Sequence, residues 1–498
     1  MGWKCTHVKA RSEQIVTVKC KRELASVTAD FEPKKIRGVQ GFYASRARII
    51  PNMDGVFQIA LLNVGESDVR ISGRKFMGMI HPVVDDERNV NVTAKLQEIK
   101  YGDNLTQAQR NELEELIKRN KDVFAADPKK PSPTNLTKHH IVTEGAQPIR
   151  QKTRRIPNAW QAEVDRQVKE MIDNNIIRKS VSPWNSPVIL VKKQDKTTRF
   201  VLDFRALNDV TKKDSYPLPH IRDVIDKMEG AQFWSTLDAA SAYWSMPMNE
   251  EDKEKTAFSV PRGKWEFNVT PYGLCNAGAS YQRMMDICLA RLPSDRVLAY
   301  MDDIVIFSRS LGEHKQLLEA VFERLRKANI TLKASKCVIA SSSVDFLGYH
   351  LSVDGIRPQN RLTTAIQNFQ RPGNKKEVKG FMGLAGFYRH FIKDFSKISS
   401  PLNALTSDNV VFTWSDECET VFKQLKEVLM SEPVLAFPRL GETFIVEVDG
   451  SEKAAGGVLS QIGPDGQFHP VAYYSTSLNK STQLVDTHHR SVCTRVSD

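Results

Sequence analysis

Short runs of alternating apolar and polar residues, or of clustered β-branched ones, recur from about Glu13 to Val84, as in Ile15 to Val18, Val56 to Leu62 and Val69 to Ile71. A period of two marks strands with one buried face, and Asp54 and Gly55 suit a turn between them. Residues 1–92 are therefore expected to form a small β domain. From Gln107 to Phe124 the spacing changes: Leu113, Leu116, Ile117 and Val123 recur at helical intervals before the Pro-rich stretch Asp127 to Pro133 breaks regular structure. Residues 93–138 thus read as a helix followed by a linker.

A second helix is predicted from Ala159 to Asn174, with Val164, Val168, Met171 and Ile172 on one stripe and Asn174 and Asn175 as its stop. Beyond it strand-like runs (Pro187 to Val191, Phe200 to Leu202) mix with helical ones, which implies an α/β or α+β catalytic body. Helical spacing returns from Lys375 to Leu429, through Val378, Phe381, Met382, Leu384 and Phe387 and then Val421, Phe422, Leu425 and Leu429. The last sixty or so residues revert to strands, Thr443 to Val448 and Gly456 to Ser460.

Composition alters this picture in three ways. A chain of 498 residues is too long for one core and divides into roughly three domains at about 150 residues each. A hydrophobic fraction of 41% with 26% charged residues is that of a packed soluble protein, and the net charge of +12 favours a polyanionic partner. The seven cysteines are scattered and never spaced Cys-x-x-Cys, so neither a disulfide framework nor a zinc site is indicated. With no apolar run of membrane-spanning length and no signal-peptide core, an intracellular location without membrane partners is expected, in the cytoplasm or in element-derived particles.

The chemistry concentrates near residue 300. Val297 to Tyr300 and Ile304 to Phe307 are apolar throughout and can close as a hairpin around Met301, Asp302 and Asp303. A third carboxylate, Asp238, ends the apolar strand Gln232 to Leu237. Unpaired carboxylates against buried strands cost several kcal/mol each unless cations compensate. Three from two elements suffice to hold two Mg²⁺ ions, with Mn²⁺ as a substitute, about 4 Å apart in the clamp used for in-line phosphoryl transfer. A bare Asp-Asp pair would more often be a solvated turn; the apolar flanks and the upstream partner reverse those odds.

Around these residues the segment from about His139 to Pro358 resembles the reverse transcriptase of gypsy-type long-terminal-repeat retrotransposons. The resemblance is carried, in family order, by Ile177 to Pro187, Arg199 to Asn208, Tyr216 to Pro219, Leu237-Asp238 through Tyr243, Lys255 to Phe258, Tyr272 to Ala277, the Tyr-Met-Asp-Asp box and Phe346 to Tyr349. It implies an α+β multidomain fold with a right-hand (fingers-palm-thumb) polymerase, its fingers and palm over residues 139–358 and a helical thumb and connection over 359–438. It implies that Asp238, Asp302 and Asp303 bind the catalytic metals and that Lys193 and Arg199 grip an incoming deoxynucleoside triphosphate. Tyr243 would be the steric gate against a ribose 2′-hydroxyl, with Tyr272, Gly273 and Gln282 lining the nucleotide pocket. Phe346, Leu347, Gly348 and Tyr349 would form the primer grip. The implied partners are an RNA or DNA template with primer and dNTPs; oligomeric state stays open.

The chain departs from the family pattern at Ala239, Ala242, Trp244, Ser245, Tyr272 and Gly278, none of which is an implied metal ligand. Phe444 to Ser451 and Gly456 to Gln461 resemble the opening strands of the ribonuclease H domain of the same polyproteins, with Asp449 as its first metal ligand. The next ligand is a glutamate, where Ser491 stands here, and the chain stops at Asp498. Residues 439–498 are thus expected to be a truncated ribonuclease H-like domain in which Asp449 is vestigial. The first hundred residues resemble, more weakly, the β-rich spacer that follows the protease, and no Asp-Thr/Ser-Gly triplet occurs. A fragment or decayed copy of a polyprotein is the expectation. The alternative to an active polymerase is a nucleic-acid-binding remnant; an RNA-copying RNA polymerase is disfavoured by the bulky Tyr243.

Overall fold

The computed structural model describes residues 6–9, 12–19, 29–33, 42–44, 47–49, 56–63, 69–71 and 78–82, and residues 95–478 apart from 128–129, 193–197, 432 and 451–453. The chain divides into two compact units, Met1–Ala94 and Lys95–Asp498. In the first, the described residues are all strand apart from Lys9. Ser12–Lys19 and Phe42–Ala44 flank Val56–Asn63, Ala47–Ile49 and Gly78–Pro82 flank Ala29–Pro33, and Thr6–Val8 pairs with Val69–Ile71, all antiparallel.

The second unit is built on a five-stranded palm sheet in the order Val297–Tyr300, Asp303–Ser308, Phe233–Asp238, Val338–Ser341, Lys100–Tyr101. Its central strands are apolar on both faces because both are covered, with Trp234, Leu237 and Ile304 to Phe307 all buried. The helix Leu311–Lys327 is one cover. Ser310 caps it by accepting from the Glu313 N–H, basic residues close its last turn, and His314, Leu317, Leu318, Val321, Phe322 and Leu325 form its buried stripe. The helix Ala277–Leu289 packs beside it.

The segment 95–126 is part of this body. Its helix Gln107–Arg119 starts in a Thr106–Gln109 capping box, Lys100–Tyr101 adds the fifth strand in parallel, and the Ala125 N–H and Leu332 carbonyl close a further bridge at 2.9 Å. The fingers hold a separate core around Trp184, Leu202, Phe204, Phe258 and Phe267, under the hairpin Val188–Lys192 with Thr198–Leu202. The thumb packs the helices Lys375–Phe387 and Asp416–Met430 against the meander Ser343–Phe346, Tyr349–Ser352, Gly355–Pro358. Ile445–Gly450, Ala454–Ile462 and Phe468–Ser477 form the last sheet, antiparallel throughout.

Candidate nucleotidyl-transfer site

The pairing register of the palm strands brings the carboxylates together. Asp238 lies directly opposite Asp303, which pairs in turn with Tyr300, so Met301 and Asp302 form the intervening turn. The Ala239 N–H donates to the Asp302 carbonyl at 3.1 Å and ties the two strand ends. Burial raises the Asp303 carboxyl to about 6, and the neighbouring Asp302 and Asp238 charges add to that rise while Lys336 opposes it. Lys336, from the turn Ala334–Lys336, donates its ammonium to Asp238 Oδ2 at 2.6 Å. In sequence it reads as one more solvated lysine, and no local pattern singles it out.

Among the described residues no three His, Cys, Asp or Glu side chains stand as a ready metal-ligand cluster. The donor set still fits a hard divalent cation: three oxygen-only carboxylates on neighbouring backbone positions, one of them pushed up to about 6 by burial and then by the charges of the other two, with Lys336 opposing the rise.

Beside the turn stands Tyr243, on the short helical turn Ala242–Ser245. The edges of Tyr272 and Tyr281 meet it nearly at right angles, with ring centroids 5.6 and 5.5 Å away, and its hydroxyl lies 3.8 Å from Met301 Sδ. Burial first, and the Asp302 charge second, raise the Tyr243 hydroxyl above its ordinary pKa. Gly273 adopts φ +101°, open to glycine but strained for other residues, and the Asn208 amide donates to its carbonyl at 2.9 Å. Gln282 is fully buried beneath the turn, on the side of its helix that also buries Tyr281, Met284 and Met285.

Of the remaining candidates, Lys193 lies outside the described residues, and Arg199 sits on Thr198–Leu202 opposite Val191 with its side chain undescribed. The sequence reading missed Asp203, buried between the guanidiniums of Arg205 and Arg154, which hold it down to about 2. Phe346 and Tyr349 close a tight hairpin through Leu347 and Gly348, both at positive φ. The thumb clasps that hairpin: the Tyr388 hydroxyl donates to the Gly348 carbonyl at 2.5 Å, and Phe387 and Phe391 pack on the Tyr349 ring.

Residues 191–351 match the family model described as reverse transcriptase (RNA-dependent DNA polymerase), and residues 414–497 match the RNase H-like domain found in reverse transcriptase. The retrovirus-related Pol polyprotein from transposon 297 of Drosophila melanogaster is 35% identical over 383 residues, covering 76% of this chain and 36% of its own length. That from transposon opus of the same fly is 37% identical over 362 residues, 70% of this chain and 36% of its own. The chain carries the reverse transcriptase and ribonuclease H-like domains of a retrotransposon Pol polyprotein. It spans about a third of the length of those relatives.

The reverse transcriptase fold is shared with solved structures. A foamy viral protease-reverse transcriptase in complex with double-stranded DNA superposes with a TM-score of 0.71 at 21% identity, covering 81% of this chain and 85% of that one. The same enzyme in complex with an RNA/DNA hybrid gives 0.71 at 20% identity, covering 93% and 63%. In the ribonuclease H-like part of this reverse transcriptase region, Asp449 lies opposite Gly456 on an exposed stretch of strand. Ser491 lies outside the described residues. No helix among the described residues is long and apolar enough to cross a membrane.

Proposed function

We propose that this chain extends a primer with deoxynucleotides on an RNA or DNA template, with Asp238, Asp302 and Asp303 as the carboxylates that hold two Mg²⁺ ions. The observation that carries the reading is the register that sets Asp238 against Asp303 with Asp302 on the adjoining turn, beside Tyr243. The bound ions would lower the pKa of the attacking primer hydroxyl and neutralise the leaving pyrophosphate. The chain's own residues supply position and field. Tyr243, wedged between two rings, presents a bulky wall where a ribose 2′-hydroxyl would project. Lys193 and Arg199 would receive the triphosphate, an ammonium and a guanidinium fork suiting that task. The Phe346–Tyr349 hairpin, clasped by the thumb, would hold the primer end. The nucleic-acid complexes of the foamy viral enzyme support a duplex partner for the same fold.

The ribonuclease H-like domain is proposed to lack hydrolytic activity, since Ser491 stands where the resemblance calls for a glutamate. The test is primer extension on an RNA template, wild type beside Asp302→Asn. Deoxynucleotide addition lost in the variant supports the reading; equal template binding with extension in neither protein would make the chain a binding remnant.

A further inference from the structure

The Tyr-Met-Asp-Asp turn contains a residue in a conformation that L side chains disfavour: Met301 has φ +53°. The hairpin partners Tyr300 and Asp303 do not by themselves account for the Met301 N–H, and a turn at a buried strand end must have its polar groups met. The residue that meets them lies on another element. Gln282 accepts the Met301 N–H on Oε1 at 2.8 Å and donates from Nε2 to the Ala299 carbonyl at 3.0 Å and to Asp286 Oδ1 at 2.9 Å. One carboxamide thus holds the residue before Tyr300 and the residue after it.

The orientation of that carboxamide is determined by its surroundings. Reversed, its nitrogen would face the Met301 N–H and its oxygen would face both a carbonyl and a carboxylate, giving three repulsive contacts in place of three bonds. Asp286 sits four residues on along the same helix, so the two side chains meet on one face. Its second oxygen accepts from the Tyr216 hydroxyl at 2.5 Å. The Tyr216 ring lies 4.5 Å from the Arg283 guanidinium carbon, and Arg283 is paired with Asp214 at 2.8 Å. Tyr216 opens the Tyr-Pro-Leu-Pro block, to which the polymerase reading gave no task.

We propose that Gln282 is a positioning residue that fixes the catalytic turn by bonding the backbone on both sides of Tyr300, and that Tyr216 and Asp286 orient its carboxamide from the protein surface. The inference rests on Asp302 and Asp303 being the polymerase carboxylates. Gln282 touches no substrate; it sets where the adjoining carboxylates stand, so its loss acts on the chemical step and not on nucleotide affinity.

Single-nucleotide extension, with kcat and the KM for dNTP measured separately and primer–template affinity as the check on folding, tests this. Gln282→Leu and Gln282→Glu are expected to lower kcat about 10- to 100-fold, the range for a displaced catalytic group, with KM within about twofold. Adding Asp286→Asn to Gln282→Glu recovers part of that loss, because an amide at 286 can donate to the new carboxylate while still accepting from Tyr216. Tyr216→Phe, a surface change that leaves the buried carboxamide in place, lowers kcat about threefold if orientation is worth half to one hydrogen bond. A kcat within twofold of wild type for both Gln282→Leu and Tyr216→Phe, a loss expressed in KM instead, or a double variant no better than Gln282→Glu overturns the proposal. Extension that survives in Asp302→Asn overturns the site assignment beneath it, whatever the Gln282 variants do.

Discussion

Two strands in this chain carry an aspartate at or next to their last residue, and their surroundings could hardly differ more. Phe233–Asp238 lies inside a five-stranded sheet, its Trp234 and Leu237 buried, its terminal carboxylate bonded to Lys336 and facing Asp303. Ile445–Gly450 is, among the described residues, an edge strand whose Val446 and Val448 are 49% and 41% exposed, and Asp449 stands opposite a glycine. Both fit a strand-then-aspartate pattern in sequence. Only the first is bonded to a neighbouring ammonium and set against a second carboxylate, and that difference is the physical basis for proposing a polymerase site at one strand end and none at the other.

The largest effect expected from this contrast is on catalysis. Asp302→Asn should lower the rate of primer extension by on the order of 10³-fold or more, since the substitution removes a carboxylate from a charge-stabilising clamp. Asp449→Asn should leave extension unchanged and reveal no RNA-strand cleavage to lose. Cleavage of an RNA/DNA hybrid that disappears with Asp449→Asn would erase the contrast.

Packing gives the next effect. Trp234 is fully buried between palm and thumb, and Trp234→Ala should cost about 3–5 kcal/mol in a denaturant titration. Val446→Ala, on the exposed strand, should fall within about 0.5 kcal/mol of wild type. Equal costs would mean that the ribonuclease H-like sheet is as firmly covered as the palm.

Acid should weaken the palm through His314, which desolvation holds down to about 4. Its Nδ1 lies 2.9 Å from Ser308 Oγ, and that hydroxyl donates onward to the Ser310 carbonyl, so Nδ1 carries the hydrogen and Nε2 accepts from Ser235 at 2.7 Å. A second proton, on Nε2, would break the bond that Ser235 donates and place a charge in a buried site. The unfolded chain takes it up below about 6.5 while the folded chain resists until about 4, so stability is lost as pH falls across that window, by about 2 kcal/mol at pH 5. His139, also held down to about 4 by burial, adds a similar loss. Asp303 works in the opposite sense, because its raised carboxyl favours the folded state as it protonates on acidification. His314→Gln therefore isolates the histidine contribution. Urea midpoints at pH 7 and pH 5 should differ less in that variant than in wild type, and an unchanged difference would refute the assignment.

What could be read from the sequence was local. Apolar runs ending in Asp238 and Asp303 are visible to the eye because strand burial and the carboxylate are neighbours in the chain. The work of Gln282 was hidden, since it depends on which way a helix faces nineteen positions before Met301. Lys336 was hidden for the same reason, ninety-eight positions from Asp238. The two-residue strand Lys100–Tyr101 carries no periodicity to detect, yet it joins the segment before the fingers to the palm sheet. Lys193 and Arg199 rested on resemblance alone, because an isolated lysine and arginine in a polar stretch of sequence give no physical sign of a ligand.

The smallest effect offers the sharpest comparison, since one substitution can be made in both regions. At Gly273 an added Cβ finds ordinary room, 3.5 Å from the Leu202 carbonyl oxygen and 3.6 Å from Phe204, but φ +101° strains any side-chain-bearing residue. At Gly456 the backbone is ordinary and the obstacle, 2.6 Å from the new Cβ, is Asp394 Oδ1, the free-swinging end of a short side chain. Gly273→Ala should therefore cost about 1–2 kcal/mol and raise the KM for dNTP as the pocket loop shifts. Gly456→Ala should cost less than about 0.5 kcal/mol and leave extension kinetics alone, because the carboxylate can turn aside. Backbone strain and steric crowding thus make opposite rankings of the two sites, and paired urea titrations decide between them: if Gly456→Ala proves the costlier, Asp394 is held in place and the ribonuclease H-like sheet is more tightly gripped than its exposed valines indicate.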